Sequence, residues 1–213
     1  MELYASMMCA SYGHLANEVE ELDAAGIDSY HIDIMDGSFV DNFGMGYQDM
    51  EFIKKNTSKK IDVHLMVQHP YNYLPLLFEL KADLIYLHYE VMQDPATCFE
   101  KIHKHGLQAG IAINPGTAIC CIEEILNTTD QVLVLGVNPG HAGRQYQDYV
   151  DKKVEKLLEL RKQHNFKITM DGGITPDRLK YWKERGVDNF ILGTASLFGK
   201  NKPYKELISN LRN

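Results

Sequence analysis

The sequence lacks the cysteine pattern of a metal cluster or a disulfide framework. Its 213 residues include four cysteines, at positions 9, 98, 120 and 121, and no two of them have the Cys-x-x-Cys spacing. A structural zinc cluster and a disulfide-rich secreted scaffold are therefore not expected, and we predict reduced thiols in a cytoplasmic protein.

An excess of basic residues and a long apolar run are also missing. Acidic residues number 29 and basic residues 22, so the formal net charge is −7, which argues against general nucleic-acid binding. No apolar run approaches the length of a membrane span. The first apolar residues follow Glu2 without a basic segment, so a signal peptide is not expected. We therefore expect neither nucleic-acid nor membrane partners.

The chain has no Pro/Ser-rich linker, and short apolar runs alternate with amphipathic stretches from end to end. The predicted strands cover residues 3–8, 29–35, 61–66, 84–88, 109–113, 131–137, 167–170 and 189–192. The predicted helices cover residues 14–25, 47–56, 71–80, 95–105, 118–126, 147–164, 176–185 and 203–211.

Eight strand–helix pairs predict a fold of the α/β class with a parallel sheet, and this number favours a closed barrel. We therefore predict one domain over residues 1–213, a single (β/α)8 barrel or TIM barrel. The chain is shorter than the ~250 residues typical of this fold. A doubly wound open sheet is the alternative.

The second predicted strand carries polar residues on one face. Side chains alternate along a strand, so His31, Asp33 and Met35 in the motif His31-Ile-Asp33-Ile-Met35-Asp36-Gly37 point the same way. Burying a His and an Asp without partners costs free energy. A metal ion is one partner that would offset this cost.

Two further predicted strands supply matching ligands. His64 lies in Asp62-Val-His64-Leu-Met66, and Asp171 ends the seventh strand before a pair of glycines. Together, two imidazoles and two carboxylates (His31, Asp33, His64 and Asp171) suit Zn, Fe(II), Mn or Co. All four fall toward the carboxyl ends of their strands, where barrels place their active sites. His88 and Asn114 end strands four and five; for His88, a role as a hydrogen-bonded core residue is equally open.

Glycine-rich loops follow strands six, seven and eight. Because glycine lets backbone N–H groups approach an anion closely, and barrels often bind phosphate near strands seven and eight, these loops predict a phosphate site. The candidate residues are Gly140, His141, Ala142, Gly143, Gly172, Gly173, Gly193 and Thr194. Arg144 could add a charge-assisted contact, although a plain surface arginine is equally consistent with its position.

Motifs along nearly the whole chain resemble the ribulose-phosphate 3-epimerase family. The matching segments are residues 5–8, 31–37, 62–66, 114–115, 137–140, 171–173 and 193–194. The resemblance implies a (β/α)8 barrel that inverts C3 of ketose phosphates such as D-ribulose 5-phosphate. It also implies a homo-oligomer, either a dimer or a hexamer.

The resemblance further implies roles for particular residues. His31, Asp33, His64 and Asp171 would hold the metal, and Asp33 and Asp171 would also be the acid/base pair. Ser6 would lie beside the substrate. Met35 and Met66, with Met170 as a third candidate, would form a sulfur-bearing wall whose polarisable thioethers have no proton to donate.

Two loops depart from the family pattern. Residues 41–44 read Asp-Asn-Phe-Gly where the family has Pro-Asn-Leu-Thr, and residues 141–144 read His-Ala-Gly-Arg where it has Phe-Gly-Gly-Gln. These changes leave the choice of sugar open. The segment Ser6-Met-Met-Cys9 also resembles the related allulose-6-phosphate 3-epimerases, so D-allulose 6-phosphate is the alternative substrate.

Three other functions fit the sequence less well. A Schiff-base aldolase needs an inward lysine near the end of a strand, and strand six has none. Phosphosugar decarboxylases use an Asp-x-Lys-x-x-Asp run, whereas Met35 occupies the lysine position here. A phosphosugar-binding barrel without catalysis has no need of two acid/base carboxylates.

Overall fold

The computed structural model describes all 213 residues, and it contains eight parallel strands that close into a barrel. The strands follow chain order, and β1 pairs with both β2 and β8. They are β1 (Glu2–Ser6), β2 (Ser29–Met35), β3 (Lys60–Met66), β4 (Leu84–His88), β5 (Gln108–Ile113), β6 (Gln131–Leu135), β7 (Lys167–Asp171) and β8 (Asn189–Leu192). The predicted (β/α)8 barrel is confirmed, and the open sheet is wrong.

Seven α-helices surround the barrel. They are α1 (Leu15–Ala25), α2 (Tyr47–Asn56), α3 (Leu74–Leu80), α4 (Pro95–Lys104), α5 (Asp151–Leu160), α6 (Pro176–Glu184) and α7 (Tyr204–Arg212). Each buries an apolar stripe; in α5 the buried residues are Val154, Leu157 and Leu160. The main core of 52 buried residues consists of such stripes and the outward-facing strand residues. No helix is both long and apolar enough to span a bilayer.

The α-helix predicted at residues 118–126 is wrong. Two 3-10 helices, Ile119–Cys121 and Glu123–Thr128, replace it. Residues 118–126 include three isoleucines and two cysteines, which form α-helices less readily than alanine or leucine. Its apolar residues Ile119, Ile122 and Leu126 are still buried, so the segment covers the barrel as a helix would.

Other boundaries differ for local reasons. The helix predicted from residue 71 begins at Leu74, since Pro75 has no N–H to donate to the carbonyl of Tyr71. A 3-10 turn precedes α5, which ends at Leu160 rather than residue 164. Strand β1 ends at Ser6 instead of residue 8, and β6 ends at Leu135 instead of residue 137.

The lower barrel interior combines a buried apolar cluster of seven residues with hydrogen-bonded polar side chains. The hydroxyl of Tyr86 donates to Gln131 Oε1 at 2.9 Å and contacts Thr169 Oγ1 at 3.0 Å. Asn189 Nδ2 also donates to Gln131 Oε1, at 3.0 Å. This layer closes the amino-terminal end of the barrel, so the cavity opens at the carboxyl ends of the strands.

Candidate metal centre and active site

The register of β2 and β3 brings the polar motif residues together. His31 lies opposite Asp62, and Asp33 lies opposite His64, in the parallel pairing of the two strands. Since alternate residues face inward, both pairs project into the barrel. Their side chains are almost completely buried.

Asp171 reaches the same point from β7. One ligand atom from each of His31, Asp33, His64 and Asp171 lies within 4.8 Å of the others. Asp33 Oδ1 is 3.2 Å from His31 Nε2 and 3.1 Å from His64 Nδ1. Two imidazoles and two carboxylates at this separation, shielded from water, fit a divalent transition-metal ion. The structure thus unites the four residues that the sequence singled out.

The two carboxyl groups have different environments. Burial raises the pKa of Asp33, but the charges and hydrogen bonds of His31 and His64 outweigh it and hold the pKa below its ordinary value. Burial also raises the pKa of Asp171, and this effect prevails, so that its pKa is about 6. Burial disfavours the charged form of His31, but the carboxylates of Asp62 and Asp33 raise its pKa well above normal. A bound cation would favour the ionised form of both carboxyl groups.

Neighbouring polar groups orient the cluster. Asp62 accepts a hydrogen bond from His31 Nδ1, and Ser29 Oγ lies 3.1 Å from Asp62 Oδ1. Ser6 Oγ donates to Asp33 Oδ2 at 3.1 Å, which places this predicted residue beside the candidate acid/base group. Asp62 was not among the predicted site residues. Its alternation with His64 shows that it faces inward, but only the strand register shows that His31 is its partner.

A cavity of about 450 Å³ opens above the cluster at the carboxyl ends of the strands. Asp33, His64, Asp171 and Ser6 line its inner part. All the predicted phosphate-loop residues line it as well: Gly140, His141, Ala142, Gly143, Gly172, Gly173, Gly193 and Thr194. Arg144 also lines the cavity, and its guanidinium donates to the carbonyl of Pro139 at 3.1 Å.

The glycine pair after β7 is required by close packing. Gly172 and Gly173 have φ angles of +85° and +67°, which side chains other than that of glycine rarely tolerate. A Cβ at Gly172 would lie 2.6 Å from Val137 Cγ2, and one at Gly173 would lie 3.0 Å from Tyr146 Cβ. Glycine therefore lets the backbone turn directly beneath the loop that follows β6.

The methionines do not all occupy the predicted wall. Met66 lines the cavity, and Met35 is buried beside it against Met66 and Val40. Met170 points outward into the core between barrel and helices, because it alternates with the inward-facing Asp171. Met8, which was not among the predicted wall residues, also lines the cavity.

The two loops that depart from the family pattern touch each other. Asn42 Nδ2 donates to the carbonyl of Gly140 at 2.6 Å. His141 Nδ1 lies 3.7 Å from Asp41 Oδ1 and accepts a hydrogen bond from Arg144 at 3.0 Å. The segment after β2 therefore borders the loop after β6 at the cavity mouth.

His88 and Asn114 lie outside the cavity lining. The ring of His88 is completely buried and its Nε2 lies 2.9 Å from His64 Nε2, so His88 contacts a candidate ligand without joining the four-residue cluster. The backbone N–H of Asn114 donates to Glu90 Oε1 at 2.9 Å.

Solved structures with low sequence identity share the barrel. The 3-hexulose-6-phosphate synthase of Salmonella typhimurium superposes with a TM-score of 0.73 at 16% identity, covering 99% of this chain and 96% of that one. The phosphoribosyl anthranilate isomerase of Thermus thermophilus gives 0.70 at 15% identity, covering 100% and 98%. At such identities the likeness shows the fold alone.

Sequence comparison is more specific. The ribulose-phosphate 3-epimerase of Methanocaldococcus jannaschii is 33% identical over 100% of this chain and 90% of its own length. That of Bacillus subtilis is 30% identical, with 97% and 96% covered, and that of Helicobacter pylori is 33% identical, with 100% and 97% covered. The model of the ribulose-phosphate 3 epimerase family matches residues 2–197. With its barrel and its His/Asp cluster, this chain belongs to the ribulose-phosphate 3-epimerase family.

Proposed function

We propose that this protein interconverts D-ribulose 5-phosphate and D-xylulose 5-phosphate by inverting C3, and that it uses one divalent transition-metal ion (Zn, Fe(II), Mn or Co). The observation that carries the proposal is the placement of two carboxylates, Asp33 on β2 and Asp171 on β7, in one cavity beside His31 and His64. Relatives named ribulose-phosphate 3-epimerase support the reaction class.

The chemistry needs a proton carrier on each face of the substrate. The C3–H of a ketose phosphate is a far weaker acid than a carboxylic acid, whose ordinary pKa is about 4. A divalent metal, which His31, Asp33, His64 and Asp171 would hold, would supply positive charge that stabilises the negative charge formed when the proton leaves. Asp33 and Asp171 each take or return a proton on one face, and Ser6 holds one oxygen of Asp33 in place.

The loops at the other end of the cavity bind the phosphate. A chain with a net charge of −7 repels a dianion, so local donors are required. The backbone of residues 140–143, Gly172, Gly173, Gly193 and Thr194 provides them. The thioether of Met66, supported by the buried Met35 beside it, borders the reacting carbons and has no proton to give them.

Isotope exchange tests this proposal directly. With ribulose 5-phosphate in deuterated water, the protein should form xylulose 5-phosphate and place deuterium at C3, as followed by NMR. Asp33→Asn and Asp171→Asn should each lower epimerisation by about 10²–10⁴-fold. Residual exchange should favour one epimer in Asp33→Asn and the other in Asp171→Asn, because each variant retains the carboxylate of one face.

The matched control is Asp177→Asn on the exposed surface of α6, which should keep the wild-type rate. Absence of both product and deuterium with wild-type protein would contradict the proposal. Tight phosphosugar binding without exchange would instead indicate a non-catalytic phosphosugar-binding barrel.

D-Allulose 6-phosphate is the second candidate substrate, with D-fructose 6-phosphate as its product. It is favoured by the segment Ser6-Met-Met-Cys9, whose residues Met8 and Cys9 line the cavity. Parallel assays of kcat/KM with the two substrates decide between them. Family membership also leads us to propose a cytoplasmic homo-oligomer, a dimer or a hexamer, which light scattering after gel filtration would measure.

A further inference from the structure

A chain of hydrogen bonds begins at His64 Nε2 and leads away from the cavity. His64 Nε2 lies 2.9 Å from His88 Nε2, and His88 Nδ1 lies 3.0 Å from Glu90 Oε2. The rings of His64 and His88 are 1% and 0% exposed, and the Glu90 side chain is 22% exposed. These three residues reach from the candidate metal cluster to the loop beyond β4.

Glu90 determines which atom donates in each of these hydrogen bonds. Its carboxylate accepts hydrogen bonds from the Asn114 backbone at 2.9 Å and from the Thr117 hydroxyl. An ionised carboxylate can only accept, so His88 must carry its proton on Nδ1. The Nε2 of neutral His88 then has a free lone pair.

The protonation of His64 follows from that of His88. Two lone pairs facing each other across 2.9 Å in a buried site would repel, so His64 Nε2 must donate its proton to His88 Nε2. Neutral His64 then has an unprotonated Nδ1, which lies 3.1 Å from Asp33 Oδ1. A cation bound between these two atoms would relieve the repulsion of their lone pairs, so this tautomer suits the metal-bound site.

We propose that Glu90 and His88 are positioning residues that hold His64 in the tautomer whose Nδ1 is free to bind the metal. This inference rests on the metal site of the proposed function and adds two residues to it. His31, the other imidazole in the cluster, is oriented in a similar way, but its Nδ1 donates directly to the carboxylate of Asp62 without an intervening histidine. Phe39 packs over His88 with ring centroids 4.5 Å apart and restricts its rotation.

The tautomer can be observed directly. In zinc-loaded protein with ¹⁵N-labelled histidine, His64 Nε2 should carry a proton and Nδ1 should show the shift of a coordinated nitrogen. Coordination through Nε2, with the proton on Nδ1, would overturn the proposal. Wild-type protein that binds no zinc would refute the metal of the proposed function. Metal-free protein at pH 8 would then still report the direction of the His64–His88 hydrogen bond. A proton on His64 Nε2 is the expected result, and a bare His64 Nε2 would overturn the proposal.

Metal affinity provides the second readout, measured by competition with a chromogenic chelator. His88→Phe removes the acceptor and should weaken zinc binding by about 10–100-fold. His88→Gln can accept from His64 and donate to Glu90, and it should restore affinity to within about threefold of wild type, an expectation based on its hydrogen-bonding capacity. If His88→Phe does not fold, the zinc affinities of His88→Gln and Glu90→Gln are compared with that of the wild type instead.

Glu90→Gln is the sharper variant, because its amide can donate to His88 Nδ1 and so permit the opposite tautomer. It should show a mixture of His64 tautomers and weaker zinc binding. The matched control is His103→Gln, which breaks a surface His103–Asp130 pair of 2.7 Å and should leave zinc affinity unchanged. Wild-type affinity in both His88→Phe and Glu90→Gln would contradict the proposal.

Discussion

At the scale of single residues, the polar groups inside this barrel come in partnered sets. Asp62 accepts from His31 Nδ1, and Ser6 donates to Asp33. Such partners offset the cost of removing imidazole and carboxylate groups from water. Asp62 also sets which nitrogen of His31 faces the cluster. The candidate ligands therefore depend on residues that never touch a metal.

We expect Asp62→Ala to weaken metal binding by about 10–100-fold, since the His31 Nδ1–H would lose its acceptor and the ring its orientation. Chelator competition measures the change, and kcat should fall in parallel at limiting metal. Ser29→Ala is the control, because it leaves the Asp62 carboxylate and its contact with His31 in place and removes only hydroxyl contacts of 3.1 Å, to the other oxygen of Asp62 and to the carbonyl of Lys60. Wild-type affinity in Asp62→Ala would show that this carboxylate has no part in the site.

At the scale of elements, the loops after β2 and β6 contact each other. The β2 loop folds back on its own strand through the Gly44 N–H, which donates to the carbonyl of Met35 at 3.2 Å. It then contacts the β6 loop through the Asn42–Gly140 hydrogen bond of 2.6 Å. The β6 loop lines the cavity and the β2 loop packs against it, so we expect their contact to affect the shape of the cavity mouth.

Asn42→Ala should raise KM for the phosphosugar by about fivefold with a smaller change in kcat, because a hydrogen bond of this kind contributes roughly 1 kcal/mol. Steady-state kinetics with both candidate sugars measures it. Asp41→Asn, at a side chain that is 85% exposed, should change KM by less than about twofold, since exposed ion pairs contribute little. Equal KM values for Asn42→Ala and wild type would show that the loops bind substrate independently.

At the scale of the whole molecule, the cluster links distant parts of the chain. His31, Asp33 and His64 lie on β2 and β3, whereas Asp171 lies on β7, and only closure of the barrel brings them within 4.8 Å. A metal bound there therefore stabilises the folded state and has no equivalent site in the unfolded chain.

Thermal unfolding should report this linkage. Zinc or manganese at a hundredfold excess over Kd should stabilise the protein by about 2.7 kcal/mol. For a domain of this size that raises Tm by about 5–10 °C, and a chelator should reverse the gain. The double variant Asp33→Asn with Asp171→Asn should show no metal-dependent shift. An unchanged Tm in wild-type protein with metal and with chelator would argue against a metal site.

Local patterns were enough to predict the strands and most helices. The alternation of apolar and polar residues in β2 needs no partner to be recognised, and Pro95 and Pro176 mark helix starts by their own geometry. The α-helix predicted at residues 118–126 was wrong, because the apolar spacing of this segment is compatible with α- or 3-10 geometry. Packing on the barrel selects between the two. Met170 was wrongly considered for the wall, although its alternation with Asp171 turns it outward. Met8 lines the cavity because β1 ends at Ser6, two residues earlier than predicted.

The sequence by itself determined the barrel, the four candidate ligands and the glycine loops, because strand alternation, side-chain chemistry and backbone freedom are properties of neighbouring residues. Only the tertiary structure decided the partners: Asp62 with His31, Glu90 and His88 with His64, and the β2 loop with the β6 loop. The reason is physical. A hydrogen bond between strands depends on their register and on the closure of the sheet, and neither is encoded in any one segment of the chain.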